Sequence, residues 1–304
     1  MADPAHVGFI GLGKMGWPMA HNLAVAGFPL VVRDADRQRQ ESFADEHACI
    51  GAETAKAFAD SALVVTMLPD DKAVKQALVD WDGGVAGALA PGAVVIDMSS
   101  SNPEGTKALG ELLSPQRIAL VDAPVSGGVT RAAAGTLTLM IGGDDEEAIA
   151  RAQPVLAVLG ERLFRTGPLG SGHAMKALNN FVGGTTYAIV VEALAVGDRV
   201  GLDPQTMIDV MNASTGRSFN TEDVVKNHVL TGAYATGFAL ELMAKDVGIA
   251  AGMAEMSGVD APLCHLSSRR WAEALDDLGF GADHSEAHKH WWATGLARDA
   301  KAAG

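Results

Sequence analysis

From Val7 to about Arg165, short apolar runs rich in β-branched residues alternate with longer stretches of helical spacing. The runs fall at residues 7–10, 30–32, 63–67, 94–96, 119–121 and 137–141. Strands alternating with helices in this way predict an α/β domain, a doubly wound parallel sheet wrapped by helices. After Gly172 the strand signal stops, and Ala, Leu, Met and Glu dominate, punctuated by Gly201, Pro204 and Pro262. The second half is therefore expected to be all helical. The turn-rich segment Gly167-Pro168-Leu169-Gly170 marks the expected boundary, giving domains 1–167 and 168–304. The most apolar run, 181–196, is interrupted by Glu192 and followed by Asp198 and Arg199, which reads as a long buried interdomain helix rather than a membrane span. No internal repeat is visible.

The first predicted strand runs directly into Gly11-Leu12-Gly13-Lys14-Met15-Gly16 and then a helix. Strand, Gly-x-Gly-x-x-Gly turn and helix, in that order, suit a dinucleotide pyrophosphate. Gly11 permits the tight turn, Gly13 lets the backbone approach the phosphates, and Gly16 lets helix pack on strand. Pro18 fits the first helical turn, where a missing amide hydrogen costs nothing. The second strand ends at Asp34, where a carboxylate can accept from the adenine ribose hydroxyls. The first domain is thus expected to be Rossmann-like. Asp34 repels a 2′-phosphate and favours NAD, while Arg33, Arg37 and Arg39 leave NADP open.

Charge and composition narrow the partners. The 304 residues are 48% hydrophobic and carry a formal net charge of -14, which disfavours nucleic acid and anionic membrane and leaves small acidic molecules open. Two cysteines, Cys49 and Cys264, fit a reducing compartment. The first residues lack the basic-then-apolar order of a signal peptide, so a cytoplasmic location is expected.

Further motifs follow the glycine turn: TMLPD at 66–70, DMSSSNP at 97–103, DAPVSGG at 122–128, GHAMKALNN at 172–180 and GFALELMAKD at 237–246. With GFIGLGKMGWPMA, these six in order resemble the β-hydroxyacid dehydrogenases, the family that includes 3-hydroxyisobutyrate dehydrogenase and tartronate semialdehyde reductase. The resemblance implies an NAD(P)-dependent oxidoreductase acting on CH-OH groups, with the catalytic lysine at Lys176. Alcohol oxidation by hydride loss needs a base for the hydroxyl proton, and a lysine desolvated on the first turns of an apolar helix suits that task. Asn180, four residues on, projects from the same helix face and is implied to bind substrate and help hold the lysine. Ser126, Gly127 and Gly128 offer a hydroxyl and backbone amides to a substrate carboxylate. Leu68, Pro69 and Ser100 are implied cofactor contacts, as are Leu12 and Met15 in the turn. Lys245 is implied to reach the nicotinamide side; its alternative is a surface pair with Asp246 or Glu241.

Arg131, just beyond the Ser-Gly-Gly loop, either grips a second anionic group or stays solvated. His284 and His288 stand at metal-binding spacing with His290 beyond them, yet no third ligand is evident and the reaction needs no metal. Asp283-x-Ser285 resembles the start of the family's last helix, and Trp291 and Trp292 read as packing or subunit-contact residues. The expected function is NAD-dependent 3-hydroxyacid dehydrogenation. Its alternatives are reduction of 2-hydroxy-3-oxopropionate or another semialdehyde, imine reduction, which Lys176 argues against, and a non-catalytic dinucleotide-binding module, which Ser126, Lys176 and Asn180 together argue against. The family also implies a homodimer or homotetramer assembled through the helical domain.

Overall fold

The computed structural model describes residues 6–292. Two compact units emerge, Met1–Lys176 and Ala177–Gly304. The first contains β1 (His6–Ile10), α1 (Gly16–Val25), β2 (Leu30–Arg33), α2 (Arg37–His47), β3 (Ile50–Gly51), β4 (Ser61–Thr66), α3 (Asp71–Lys75) and α4 (Val85–Ala88). It continues with β5 (Val94–Asp97), α5 (Pro103–Leu113), β6 (Ala119–Asp122), β7 (Val125–Ser126), α6 (Gly128–Ala134), β8 (Leu137–Gly142), α7 (Glu146–Leu159) and β9 (Gly160–Gly167). These nine strands form one sheet in the order β3-β2-β1-β4-β5-β6-β8-β7, with β9 beside β8. The strand order reverses between β1 and β4, the place where open α/β sheets bind ligands.

The six apolar runs coincide with β1, β2, β4, β5, β6 and β8. Their continuity has a simple cause: each is buried on both faces. Phe9, Val65, Val94 and Ile96 face a core built with Met19, Leu23, Phe43 and Leu156, while Ile10, Val64 and Val95 face a second core with Val74, Leu78, Leu109 and Leu113. Each such side chain contributes roughly 1.5–3 kcal/mol by leaving water. The expected all-parallel sheet holds from β3 through β6, but β8 runs antiparallel to β6 and β7, and β9 is parallel to β8.

Helix α8 (Ser171–Arg199) starts in the first unit and continues into the second, so the division falls within it, past the turn-rich segment at 167–170. The second unit adds α9 (Pro204–Asn212), a π-helical stretch Asn220–Val229, α10 (Leu240–Ser257), α11 (Pro262–Leu278) and a 3-10 turn His284–Glu286. Its core centres on Tyr187, Trp271 and Trp291, with the two indoles edge to face at 4.9 Å. The Tyr187 hydroxyl donates to the Ser285 carbonyl at 2.6 Å, satisfying its polar end in that core. Trp291 is thus a packing residue, and Trp292 packs partly buried against the same cluster.

Candidate active site

The three turn glycines do three different things. Gly11 has φ +99, which favours glycine, and a side chain there would strike the Met67 carbonyl. At Gly16 a Cβ would collide with the Gly11 carbonyl, whereas at Gly13 it would meet nothing within 4 Å. The backbone at Gly13 therefore borders open space. Helix α1 begins there with Met15 as N-cap residue, without a side-chain cap and without an acid in its first turn. By contrast α2, α5, α7 and α9 are capped by the side chains of Asp36, Asn102, Asp145 and Asp203. Uncapped amides at a positive helix end beside open space fit a dinucleotide pyrophosphate. Leu12 belongs to the core, and Met15 packs against it.

Asp34 secures this turn from β2. One carboxylate oxygen accepts the Leu12 amide at 2.6 Å, and the other accepts the Asp36 amide at 2.8 Å and pairs with Arg39 at 3.3 Å. All three arginines that left NADP open are engaged. Arg39 also pairs with Asp36, and Arg37 bonds Glu41 and Glu53. Arg33 lies 4.7 Å over the Trp81 ring and donates to Gln40.

After β4, the Leu68 amide donates to the Ser99 hydroxyl at 2.9 Å, which fixes the start of the Leu68-Pro69 turn. Asp97, ending β5, organises this loop: it accepts from the Thr66 hydroxyl, the Ser99 amide and the Ser101 hydroxyl at 2.9–3.0 Å. Ser100, partly buried, sits between the buried Ser99 and Ser101. Sequence reasoning selected Ser100 and missed Asp97, whose Thr66 partner becomes a neighbour only when β4 and β5 pair, and whose Ser99 and Ser101 partners lie within its own loop.

Ser126 ends β7, and Gly127 and Gly128 follow at φ +136 and +66, turning the chain into α6. Arg131, exposed on α6, lays its aliphatic stem where a side chain on Gly127 would go. Asp122 reaches the other way, to the start of α8. Its two carboxylate oxygens accept the Gly170 and His173 amides, each at 2.8 Å. Gly172 leaves no room for a Cβ against the Met140 carbonyl and Asp122, so α8 begins pressed on the sheet. His173 is fully enclosed, with Nδ1 2.7 Å from the Thr106 hydroxyl and carboxylates of Asp97 and Asp122 at 3.7 and 3.8 Å. Lys176 is 8% exposed and stands one turn beyond this anchored start.

Asn180, also 8% exposed, donates its amide to Asp246 at 2.6 Å, and Asn179 donates to the Asn180 oxygen at 3.3 Å. Lys245 lies 3.3 Å from the other oxygen of the buried Asp246. The histidines near the end are held separately. His284 Nδ1 contacts the Thr236 hydroxyl at 2.9 Å, His288 stacks on Tyr234, and His290 bonds Asp277 at 2.9 Å. Burial pushes the His284 and His288 pKa values down. Asp283 completes a capping box with Glu286 and also bonds Ser285 and Thr236. Its carboxyl is held below the usual range: burial pushes upward, and the Ser285 and Thr236 bonds outweigh it.

Residues 6–167 match the NAD binding domain of 6-phosphogluconate dehydrogenase, and residues 170–291 match the NAD-binding domain of NADP-dependent 3-hydroxyisobutyrate dehydrogenase. The chain belongs to the β-hydroxyacid dehydrogenase family. Among β-hydroxyacid dehydrogenases it is similar to 2-(hydroxymethyl)glutarate dehydrogenase of Eubacterium barkeri, 34% identical over 96% of each chain. It is also similar to the NAD-dependent L-serine dehydrogenase of Pseudomonas aeruginosa, 35% identical over 86% of this chain and 89% of that one. The Mycobacterium tuberculosis 3-hydroxyisobutyrate dehydrogenase, solved with L-serine, superposes with a TM-score of 0.85 at 30% identity, covering 94% of this chain and 99% of that one. The family's NAD(P)-binding domain thus coincides with the open glycine turn.

Proposed function

We propose that this β-hydroxyacid dehydrogenase oxidises small 3-hydroxy acids, using NAD in preference to NADP, with Lys176 as general base. The observation that carries this reading is a buried lysine on a helix whose start is clamped to the sheet by Asp122. Bound nicotinamide supplies the hydride acceptor. Lys176 Nζ takes the hydroxyl proton as the carbon loses its hydride and a carbonyl forms; in the reverse direction the ammonium returns it. Ser126 and the amides at Gly127 and Gly128 hold the carboxylate. Asn180, oriented by Asp246, bonds the substrate beside the lysine. The NAD preference rests on Asp34, whose charge opposes a 2′-phosphate, and on the engagement of Arg33, Arg37 and Arg39.

Two assays test the reading. Reduced cofactor is followed over 3-hydroxyisobutyrate, L-serine, glycerate, 3-hydroxypropionate and 2-(hydroxymethyl)glutarate, with NAD and NADP in parallel. Lys176→Ala is expected to lower kcat by about 10²–10⁴ while NAD still binds. Residual turnover near wild type would refute the role of Lys176. Arg131, folded over Gly127, favours one extension: a substrate with a second carboxylate, for which Arg131→Ala would raise KM selectively.

The same helix also bears on assembly. Met175, Val182, Ile189 and Val196 recur every seven residues along α8 and are exposed. An apolar stripe of this length suits a second copy of the chain, and we infer a homodimer or larger homo-oligomer, to be read by sedimentation.

A further inference from the structure

His21 on α1 and the pair Glu46 and His47 at the end of α2 converge in the first unit. Among the described residues they are the one group of three His, Cys, Asp or Glu side chains whose ligand atoms all lie within 4.8 Å of one another. His21 Nδ1 faces His47 Nε2 at 3.4 Å, and a Glu46 carboxylate oxygen lies 3.5 Å from that same Nε2. A hydrogen bond between two imidazoles prefers a nitrogen separation of about 3.0 Å. Two imidazole nitrogens sharing one tetrahedral Zn²⁺, each about 2.05 Å from the metal, are held about 3.3 Å apart, and a carboxylate oxygen sits at about the same distance from either. The two spacings at His47 Nε2, 3.4 and 3.5 Å, match the shared-cation geometry better, and the third ligand pair lies within 4.8 Å. The ring centroids agree, standing 4.9 Å apart where rings on one tetrahedral ion stand roughly 5 Å apart.

The His47 ring is also fixed in place. His47 lies 4.3 Å from the Phe43 ring, which in turn meets Trp17 edge to face at 4.9 Å. Two imidazoles and a carboxylate are a borderline donor set suited to Zn²⁺ and its neighbours rather than to Mg²⁺ or Ca²⁺, which prefer all-oxygen shells. Three protein ligands leave a fourth position to water.

We propose that His21, Glu46 and His47 form a binding site for one Zn²⁺-class divalent cation, which braces α1 to the end of α2. No member of the trio is assigned to the reaction. A bound ion would join the helix that opens at the glycine turn to the helix that follows Asp34, so its effect is on the rigidity of the dinucleotide-binding unit rather than on the chemistry.

The test is calorimetric titration of the full chain with ZnCl₂, alongside the visible spectrum after adding Co²⁺, whose absorption intensifies in a tetrahedral site. One equivalent is expected to bind wild type, with an upward shift in Tm. His21→Gln, His47→Gln and Glu46→Gln should each weaken binding at least tenfold, and His21→Gln/His47→Gln should abolish the Tm shift. Turnover without added metal should match wild type in all of them, which also reports that they fold. His284→Gln/His288→Gln should bind Zn²⁺ as wild type does. Absence of Zn²⁺ binding to wild type, or equal binding by the His21 and His47 double variant, overturns the site.

Discussion

Helices α1 and α8 begin against the C-terminal ends of β1 and β6 in the same sheet, and their first turns are treated in opposite ways. At α1 no side chain caps the helix, its first turn holds no acid, and Gly13 borders open space. At α8 the carboxylate of Asp122 fills the corresponding place, accepting two amides from the segment that opens the helix. An open helix end is a place for a ligand's charge. A helix end satisfied by the protein has no such vacancy; it has a fixed position, and what it fixes is the lysine one turn later. The contrast separates binding from positioning within one architectural device.

The comparison breaks most visibly at Asp122. Asp122→Ala leaves two buried amides without acceptors at about 1–3 kcal/mol each, so unfolding stability should fall by roughly 2–6 kcal/mol. The kcat should drop well beyond any change in KM for NAD, because the start of the lysine's helix loosens while the glycine turn is untouched. Asp122→Asn keeps one acceptor oxygen and should recover part of both losses. Equal damage to kcat and to NAD binding would mean that Asp122 acts on the whole domain instead.

A smaller effect sharpens the α1 side. Gly13→Ala should leave stability within about 0.5 kcal/mol, since its Cβ enters empty space, yet weaken NAD at least tenfold if phosphates occupy that space. Gly16→Ala should do the reverse in order of severity, costing stability first through collision with the Gly11 carbonyl. Chemical denaturation and NAD titration of the two variants separate these outcomes.

The smallest effect lies in the second, helical unit and serves as a control outside the unit that carries both helix starts. His284 and His288 have folded pKa values lowered by burial, so the unfolded chain takes up their protons first. Their contribution is complete above the unfolded value of about 6.5 and is lost as pH falls from there toward the lower folded values. The Tm should decline across that window, and His284→Gln should flatten the decline.

Much of this was legible in the chain because it is local. The six doubly buried strands announce themselves as unbroken apolar runs, and the glycine turn is complete within six residues. Strand β9 was not legible: its sequence GERLFRTG is charged and partly exposed, since it lies beside β8 off the main strand path. Strands β3 and β7, two residues each, are too short for a periodic signal. The reversal of β8 leaves no trace in composition either. At the site, Asp34 was found through its place at the end of β2, whereas the carboxylates that hold α8 and Asn180 across the fold were not. Asp122 meets Gly170 across 48 positions, and Asp246 meets Asn180 across 66. A carboxylate reads alike in sequence whether it faces water or holds a helix in register.

Lys176 and Asn180 share one uninterrupted helix, so the distance between their backbones is a property of helical pitch, about 6 Å for four residues. Substitutions around them change what the two side chains touch, but not that interval. A single residue inserted between them would swing Asn180 through about 100° around the helix axis and part it from Asp246. This stretch of the chain can accept a change of letter and cannot accept a change of count.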